Sequence, residues 1–448
     1  MNALIGRNRA FRLLLAGSSV SMLGSRLTMI AYPMLVLYLT GSPFAAGWVA
    51  FAAAAPSVLI YMPAGALVDR WDPRQTMLVS EFGRGIAIAA VVVTLALGRP
   101  SILLLIAAAV TEGILEIFSA LAEPRYVRSL VELDQASSAS ATIEARTHVA
   151  VLAGRPLGGF LFGLSPILPF LADAISFIFS VVTLYVSSTR LVLGGFPFRR
   201  DAPSPAPSDG PPVNCWDGKV PDGGWSISQL GNDTRAGLHW LRGDRSACGA
   251  LALSAGGTLI FQALIIIFLA DAHARWLPAA AMGLVLAASG VGGALGSVAA
   301  PHLRARANWP WIQIQAWTWC VAFALLALTS RQSFVVLAIV MIPLGFTGAL
   351  GNIELSTYLT RNVAENMLGR VTSIGRLLSF AACAAGPILG GALVQRYDIQ
   401  DGVYVLFGLT VVLVLLAACT PSMRAERGPA TDSLDQSIPE NPVPVTQS

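Results

Sequence analysis

Glu112, Glu116, Ser119 and Glu123 lie 4, 7 and 11 residues along one apolar stretch. At about 100° per residue those offsets fall within roughly 60° of one another, so on a helix they form one polar stripe. A charged side chain at the centre of a membrane helix costs about 2.5–3.5 kcal/mol, so such a stripe has to face an interior cavity or partners of its own. Arg26 sits near the middle of another apolar run and is expected at the depth of Glu112, so an Arg26–Glu112 or Arg26–Glu116 pair is expected if their two helices line one cavity. One guanidinium compensates only one of two carboxylates, and a second carboxylate that carries a proton at neutral pH suits proton coupling. The competing reading is a static ion pair that fixes helix packing. Tyr32 and Phe261 are expected to line the same cavity as Arg26, Glu112 and Glu116. Glu81 and Arg84, three apart, are expected to satisfy one another. Asp173, near Pro166 and Pro169, either meets the cavity or caps the start of its helix, with capping favoured.

The elements that must hold these residues are membrane helices. Of the 448 residues, 55% are hydrophobic and 12% charged, about half the charge of an ordinary globular domain. Apolar runs long enough to span a bilayer recur at about 12–39, 44–68, 76–97, 101–122, 144–164, 167–189, 247–270, 279–301, 310–330, 333–356, 373–394 and 402–420. Helix follows because a spanning segment must satisfy its own backbone hydrogen bonds. The first run, preceded by Arg7, Arg9 and Arg12, continues to about Thr40 and reads as a span, not a cleaved leader.

Orientation follows from arginine placement. With the N-terminus in the cytoplasm, the segments on that side carry most of the basic residues, and the outer loops carry only Arg99, Arg275, Arg331 and Arg396. Both termini are then cytoplasmic, in the manner of a multi-pass protein of a bacterial inner membrane. The expected organisation is a six-helix bundle over 1–190, a cytoplasmic linker over 191–246, a second bundle over 247–421 and a tail over 422–448. The Pro- and Gly-rich stretch Asp201–Gly224 and the tail are expected to be disordered, and Ile227–Arg242 to form a surface helix. The halves echo one another: Glu123 matches Glu354, and Gly154, Gly158 and Gly159 match Gly386, Gly390 and Gly391. Two related bundles are what a transporter built from repeats shows.

Two motifs carry a family resemblance. Gly65-Ala66-Leu67-Val68-Asp69-Arg70-Trp71-Asp72-Pro73-Arg74 resembles the loop between helices two and three of the major facilitator superfamily, roughly G-x-L-x-D-R-x-G-R-K. Gly65, Asp69, Arg70 and Arg74 match, whereas Asp72 and Pro73 depart. A glycine that lets helices approach and a carboxylate placed at a neighbouring helix N-terminus would lock the cytoplasmic side shut; a plain cytoplasmic anchor is the alternative. Gly386-Pro387-Ile388-Leu389-Gly390-Gly391 resembles the G-P-x-x-G-G signature of the superfamily's antiporters, which belongs in the fifth helix; there this chain has Gly154-Arg155-Pro156-Leu157-Gly158-Gly159. The wider pattern resembles the branch with macrolide efflux proteins and the enterobactin exporter, through Asn8-Arg9-Ala10-Phe11-Arg12, Gly237-Leu238-His239-Trp240-Leu241 and Leu368-Gly369-Arg370-Val371-Thr372-Ser373.

That resemblance implies an all-α membrane protein of twelve transmembrane helices in two pseudo-symmetric six-helix bundles. It implies proton-coupled efflux of a small hydrophobic or amphipathic compound, an antibiotic, secondary metabolite or siderophore; uptake of a nutrient is the alternative. The partners are then the substrate, protons and the lipid bilayer, and the carrier is expected to act as a monomer. A membrane sensor or embedded enzyme is the alternative of another class. No phosphate loop, nucleophile elbow, metal-ligand spacing or nucleic-acid-binding basic stripe occurs, and no cofactor is called for. Energy then comes from a gradient: one charge crossing 100 mV supplies about 2.3 kcal/mol, roughly a 50-fold concentration ratio.

Overall fold

The computed structural model describes residues 8–131, 136–193, 239–241, 243–306, 311–328, 334–363 and 365–419. Their backbone forms twelve long helices: α1 (Arg9–Thr40), α2 (Pro43–Val68), α3 (Pro73–Ala96), α4 (Ile102–Leu130), α5 (Ala136–Leu164), α6 (Leu168–Leu193), α7 (Arg245–Ala274), α8 (Ala279–Arg306), α9 (Trp311–Leu328), α10 (Phe334–Asn362), α11 (Glu365–Arg396) and α12 (Ile399–Cys419). Ten contain a stretch long and apolar enough to cross a membrane. The others are α5, diluted by Glu144, Arg146 and Arg155, and α9, whose apolar part is the shorter Ile314–Leu326. The chain is a multi-pass membrane protein.

Hydropathy locates the apolar part of each helix, and several helices run on beyond it. The run at 101–122 lies in a helix that continues to Leu130, and the run at 144–164 lies in one that starts at Ala136. The linker stretch 201–224, most of the surface helix expected at 227–242 and the tail fall outside the described residues.

Local chemistry sets the helix starts. Asn8 caps α1, its side chain accepting from the Phe11 amide at 3.0 Å. Ser42 caps α2, with Pro43 in the first turn. Asp72 caps α3, accepting from the amides of Arg74 at 2.8 Å and Gln75 at 3.2 Å, again with proline following. Asp72 and Pro73 are the two departures from the loop pattern, and together they make a helix start.

The even number of helices puts Arg9 and Cys419 on one side, called here proximal; Thr40 and Pro43 lie on the opposite, distal side. Within the first half α1 packs on α5 and α6, and α4 on α2 and α3; across the halves α2 packs on α11 and α5 on α8. The distal side is one continuous apolar core drawn from both halves, including Tyr32, Leu35, Val49, Ile88, Ile266, Leu286, Met341 and Leu393. On the proximal side the cores of the two halves are separate. One, with Phe11, Val68, Met77 and Tyr126, belongs to the first half; another, with Ala250, Leu359, Val371 and Ala417, and a small one around Ala300 and Leu350 belong to the second. The bundles are therefore joined distally and parted proximally.

Glycines at the crossings reveal the internal repeat. A Cβ on Gly158 would collide with Leu27 and Ile30 of α1, and one on Gly390 with Ala263 of α7. A Cβ on Gly159 would meet Ala279 and Gly283 across the interface, and one on Gly391 would meet Pro43 and Phe44. Gly113 and Gly345 likewise press on the Ala53 and Ser289 carbonyls. The pairs Gly113/Gly345, Gly154/Gly386, Gly158/Gly390 and Gly159/Gly391 are each 232 residues apart; Leu27/Ala263, Pro43/Ala279 and Gly47/Gly283 are each 236 apart. In that register Glu123 of α4 matches Leu355 of α10, so the expected match to Glu354 is one residue off.

Candidate functional site

The polar stripe of α4 faces the interior of the first half, as its spacing requires, and of the two pairings expected for Arg26 the one with Glu116 is present. Glu112 pairs with Arg84 of α3, at 3.6 Å, and not with Arg26. Arg26 reaches Glu116 at 3.8 Å, in a half-exposed pair. Ser119 donates to Glu81 at 3.0 Å. Glu123 takes a two-pronged contact from Arg146 of α5, at 2.7 and 2.9 Å, and the same guanidinium contacts the Ser18 hydroxyl.

Arg84 is the hub. Its guanidinium lies over the Phe177 ring at 4.6 Å, donates to Ser25 at 2.6 Å, and meets Glu81 at 3.4 Å as well as Glu112. Glu81 in turn accepts from Ser21 at 2.6 Å. The Glu81–Arg84 pair expected from spacing is thus present, as part of a larger network. Its fourth charged member is Asp173. That residue is fully buried inside α6, five positions past the helix start, so it does not cap the helix. It accepts from Thr28 of α1 at 2.8 Å and from Ser176 at 3.1 Å, within electrostatic reach of Arg84 and Glu112. Tyr32 is buried edge-on to Phe170 and lies beside Glu112.

Sequence spacing within one helix could find Glu81 and Arg84 but not the reach of Arg84 to α1 and α4, which is a tertiary fact. Counting charges, one guanidinium faces three carboxylates in a dry interior. A cluster with two excess negative charges must hold protons or a cation to stay buried.

A second polar group lies between the halves. Arg155, in the proline position of the fifth-helix motif, reaches the Ser289 hydroxyl of α8 at 3.5 Å. Gly154 beside it abuts Arg26. Gln262 of α7 donates to the Cys383 sulfur of α11 at 3.4 Å, near both arginines. Phe261 packs at 6.1 Å against Trp319, within the second half. Arg376 donates to Tyr61 at 2.9 Å, tying α11 to α2, and Ser254 donates to Asn352 at 3.2 Å, tying α7 to α10. These last are helix-to-helix contacts.

The loop motif makes its contacts within the first half. Among the described residues nothing lies within 4 Å of where a Gly65 Cβ would be. Asp69 meets Arg125 of α4 in its own half, at 3.7 Å, and not a neighbouring helix N-terminus. Arg125 also donates to the carbonyls of Val68 and Asp69, the latter at 3.0 Å. Arg70 is exposed, and Arg74 lies in the first turn of α3. Among the described residues the charged pair of Asp69 stays within its own bundle.

With the geometry in hand, comparison with known proteins places the architecture. Residues 14–227 match the family model described as Major Facilitator Superfamily. No curated protein matches the chain. Among solved structures, a bacterial homologue of the iron transporter ferroportin in an inward-facing state is similar, with TM-score 0.67, 17% identity, and coverage of 92% of this chain and 98% of that one. The nucleoside transporter NupG is similar at TM-score 0.64 and 14% identity, covering 92% and 99%. A structure described as a bacterial metal transporter is similar at TM-score 0.59 and 17% identity, covering 92% and 98%. The fold is the major facilitator fold: twelve membrane helices in two pseudo-symmetric six-helix bundles.

Proposed function

We propose that this chain is a secondary active transporter of the Major Facilitator Superfamily, carrying out proton-coupled export of a small hydrophobic or amphipathic compound by alternating access. The observation that carries the reading is the distal core shared by both bundles against proximal cores separate for each bundle, with ionisable groups buried beside the opening. A carrier needs one side sealed while the other admits substrate, and a coupling group that meets both sides in turn. Arginine placement makes the proximal side cytoplasmic, so the conformation is inward-facing and both termini lie inside.

Coupling is assigned to Glu112, Asp173 and Glu81 around Arg84, whose surplus of carboxylates binds protons. The substrate path runs between Arg26, Glu116 and Arg155. Export, in place of uptake, is favoured by the likeness of the two glycine motifs to the antiporter signature and by the sequence resemblance to efflux proteins. Antibiotics, secondary metabolites and siderophores fit that description.

The test is flux in proteoliposomes of defined orientation with an imposed pH gradient and a fluorescent amphiphile. Export predicts movement of dye from the cytoplasmic face against inward proton flow, with collapse on adding a protonophore. Dye movement indifferent to the gradient would remove the coupling, and movement only toward the cytoplasmic face would make the protein an importer.

A further inference from the structure

Arg26 and Arg155 approach one another from α1 and α5, where Gly154 packs directly on Arg26. Arg155 makes one hydrogen bond among the described residues, to Ser289, and no ion pair. The Arg26 Nε is buried and has no acceptor. Arg26 has a carboxylate in Glu116, but at 3.8 Å and with the Glu116 side chain 45% exposed toward the opening. Arg26 therefore has one loosely held carboxylate and Arg155 none among the described residues, which leaves a net positive charge at membrane depth. The other neighbours, Ser289, Gln262 and Cys383, are neutral and come from the second half. A guanidinium without an acid at that depth costs several kcal/mol unless something pairs with it. It also has a planar fork of donors suited to carboxylate or phosphate oxygens.

We propose that Arg26 and Arg155 form the binding point for an anionic group of the substrate, a carboxylate or an acidic phenolate or phosphate on an otherwise apolar molecule. Glu116 is the internal anion that occupies Arg26 when the site is empty. Ser289 and Gln262 complete the site from the second half, so that binding the anion links the two bundles at mid-depth. Proton exchange stays with the Arg84 cluster, which Glu116 adjoins. The proposal deepens the transport reading and rests on it, because an anion leaving an inside-negative compartment moves down the electrical gradient, at about 2.3 kcal/mol per charge per 100 mV.

The test uses the purified full chain and three probes with one ring system: 1-naphthoate, 1-naphthylmethanol and 1-naphthylmethylammonium. Binding is read by titration calorimetry and by the shift in melting temperature. Naphthoate is expected to bind most tightly, and Arg155→Gln to weaken it about tenfold or more while leaving the alcohol unchanged. Arg155→Lys is expected to recover part of the loss, and its melting temperature checks that the fold survives. Equal affinities, preference for the ammonium probe, no saturable binding by any of the three, or equal weakening of all three in Arg155→Gln would each overturn the proposal. Gradient-driven flux of the alcohol or the ammonium probe in the same protein keeps the two ideas apart. If that flux persists without anion preference, the anion site fails and the transporter stands; if no probe moves, the transport reading fails with it.

Discussion

The two halves share a skeleton and differ in chemistry. Gly158 and Gly390 press α5 on α1 and α11 on α7 in the same way, and Gly159 and Gly391 make matching contacts across the interface. Upon that common frame the first half buries Glu81, Arg84, Glu112, Arg146 and Asp173. Among the described residues of the second half the buried charge is Asp271, near the end of α7. In the register of the glycines, Glu112 is matched by Leu344, Glu116 by Gly348 and Arg26 by Gln262. A bundle can therefore be built and packed without any buried ion network. That contrast fits the coupling role proposed for the network of the first half.

The strongest way to break this comparison is to remove the hub. Arg84→Met leaves Glu81 and Glu112 without their cation and is expected to cost about 3–5 kcal/mol, the usual penalty for stranding buried charges. Thermal unfolding in detergent measures it, and adding Glu81→Gln and Glu112→Gln to the same variant should return most of the loss. Stability unchanged in Arg84→Met would mean that water reaches the cluster and the charge count has no force.

Second in size is the effect on transport alone. Glu112→Gln and Asp173→Asn keep shape and remove an ionisable group, so each is expected to abolish gradient-driven flux, a drop of about 100-fold or more, while the protein folds normally. Leu344→Met, at the position matching Glu112, should leave flux within about twofold. Unaltered flux in both acidic variants would return the cluster to a static packing role.

Why the sequence revealed the frame better than the site follows from these same residues. Twelve apolar runs and the arginine bias survive any arrangement of neighbours, because each is a property of one segment and the bilayer. The α4 stripe was legible for the same reason: periodicity fixes which residues share a face. The choice of partner was not, because Arg26 of α1 and Arg84 of α3 both lie at plausible depth, and only the packing gives Glu116 to the first and Glu112 to the second. Arg155 read as a defect in a glycine motif, and only the approach of α1, α8 and α11 makes it a cation in a cavity. Asp173 is five residues past Leu168, too far into the helix to cap it, and its burial against Thr28 of α1 is a tertiary contact that the flanking prolines do not reveal. The Glu123–Glu354 match fails by one residue because the offset of 232 residues holds on both sides of the intervening loop, from Gly113/Gly345 to Gly158/Gly390, and so puts Leu355 opposite Glu123.

The shared frame gives a third, smaller effect that should be equal on the two sides. Gly158→Val and Gly390→Val each push a branched side chain into the backbone of the neighbouring helix, and each is expected to cost about 1–3 kcal/mol. Similar losses of melting temperature would support equivalent scaffolds. A loss confined to Gly158→Val would mean that the second half flexes at α7 and α11, and the pseudo-symmetry would then be one of sequence position only.

The smallest expected effect concerns Asp69. Its contact with Arg125 is 3.7 Å long and exposed on both sides, so Asp69→Asn should change stability by less than about 1 kcal/mol. The loop motif nonetheless lies where the proximal ends of the bundles would have to meet in the opposite state, and in this one a Cβ on Gly65 would meet nothing within 4 Å among the described residues. A gating role therefore predicts slower flux in Asp69→Asn with little change in melting temperature, since the substitution weakens a contact made only when the proximal side closes. An anchoring role predicts the reverse, a lower melting temperature with flux per folded molecule intact. Both quantities can be measured on one preparation, and their ratio separates a residue of the closed proximal state from one that belongs to the first bundle alone.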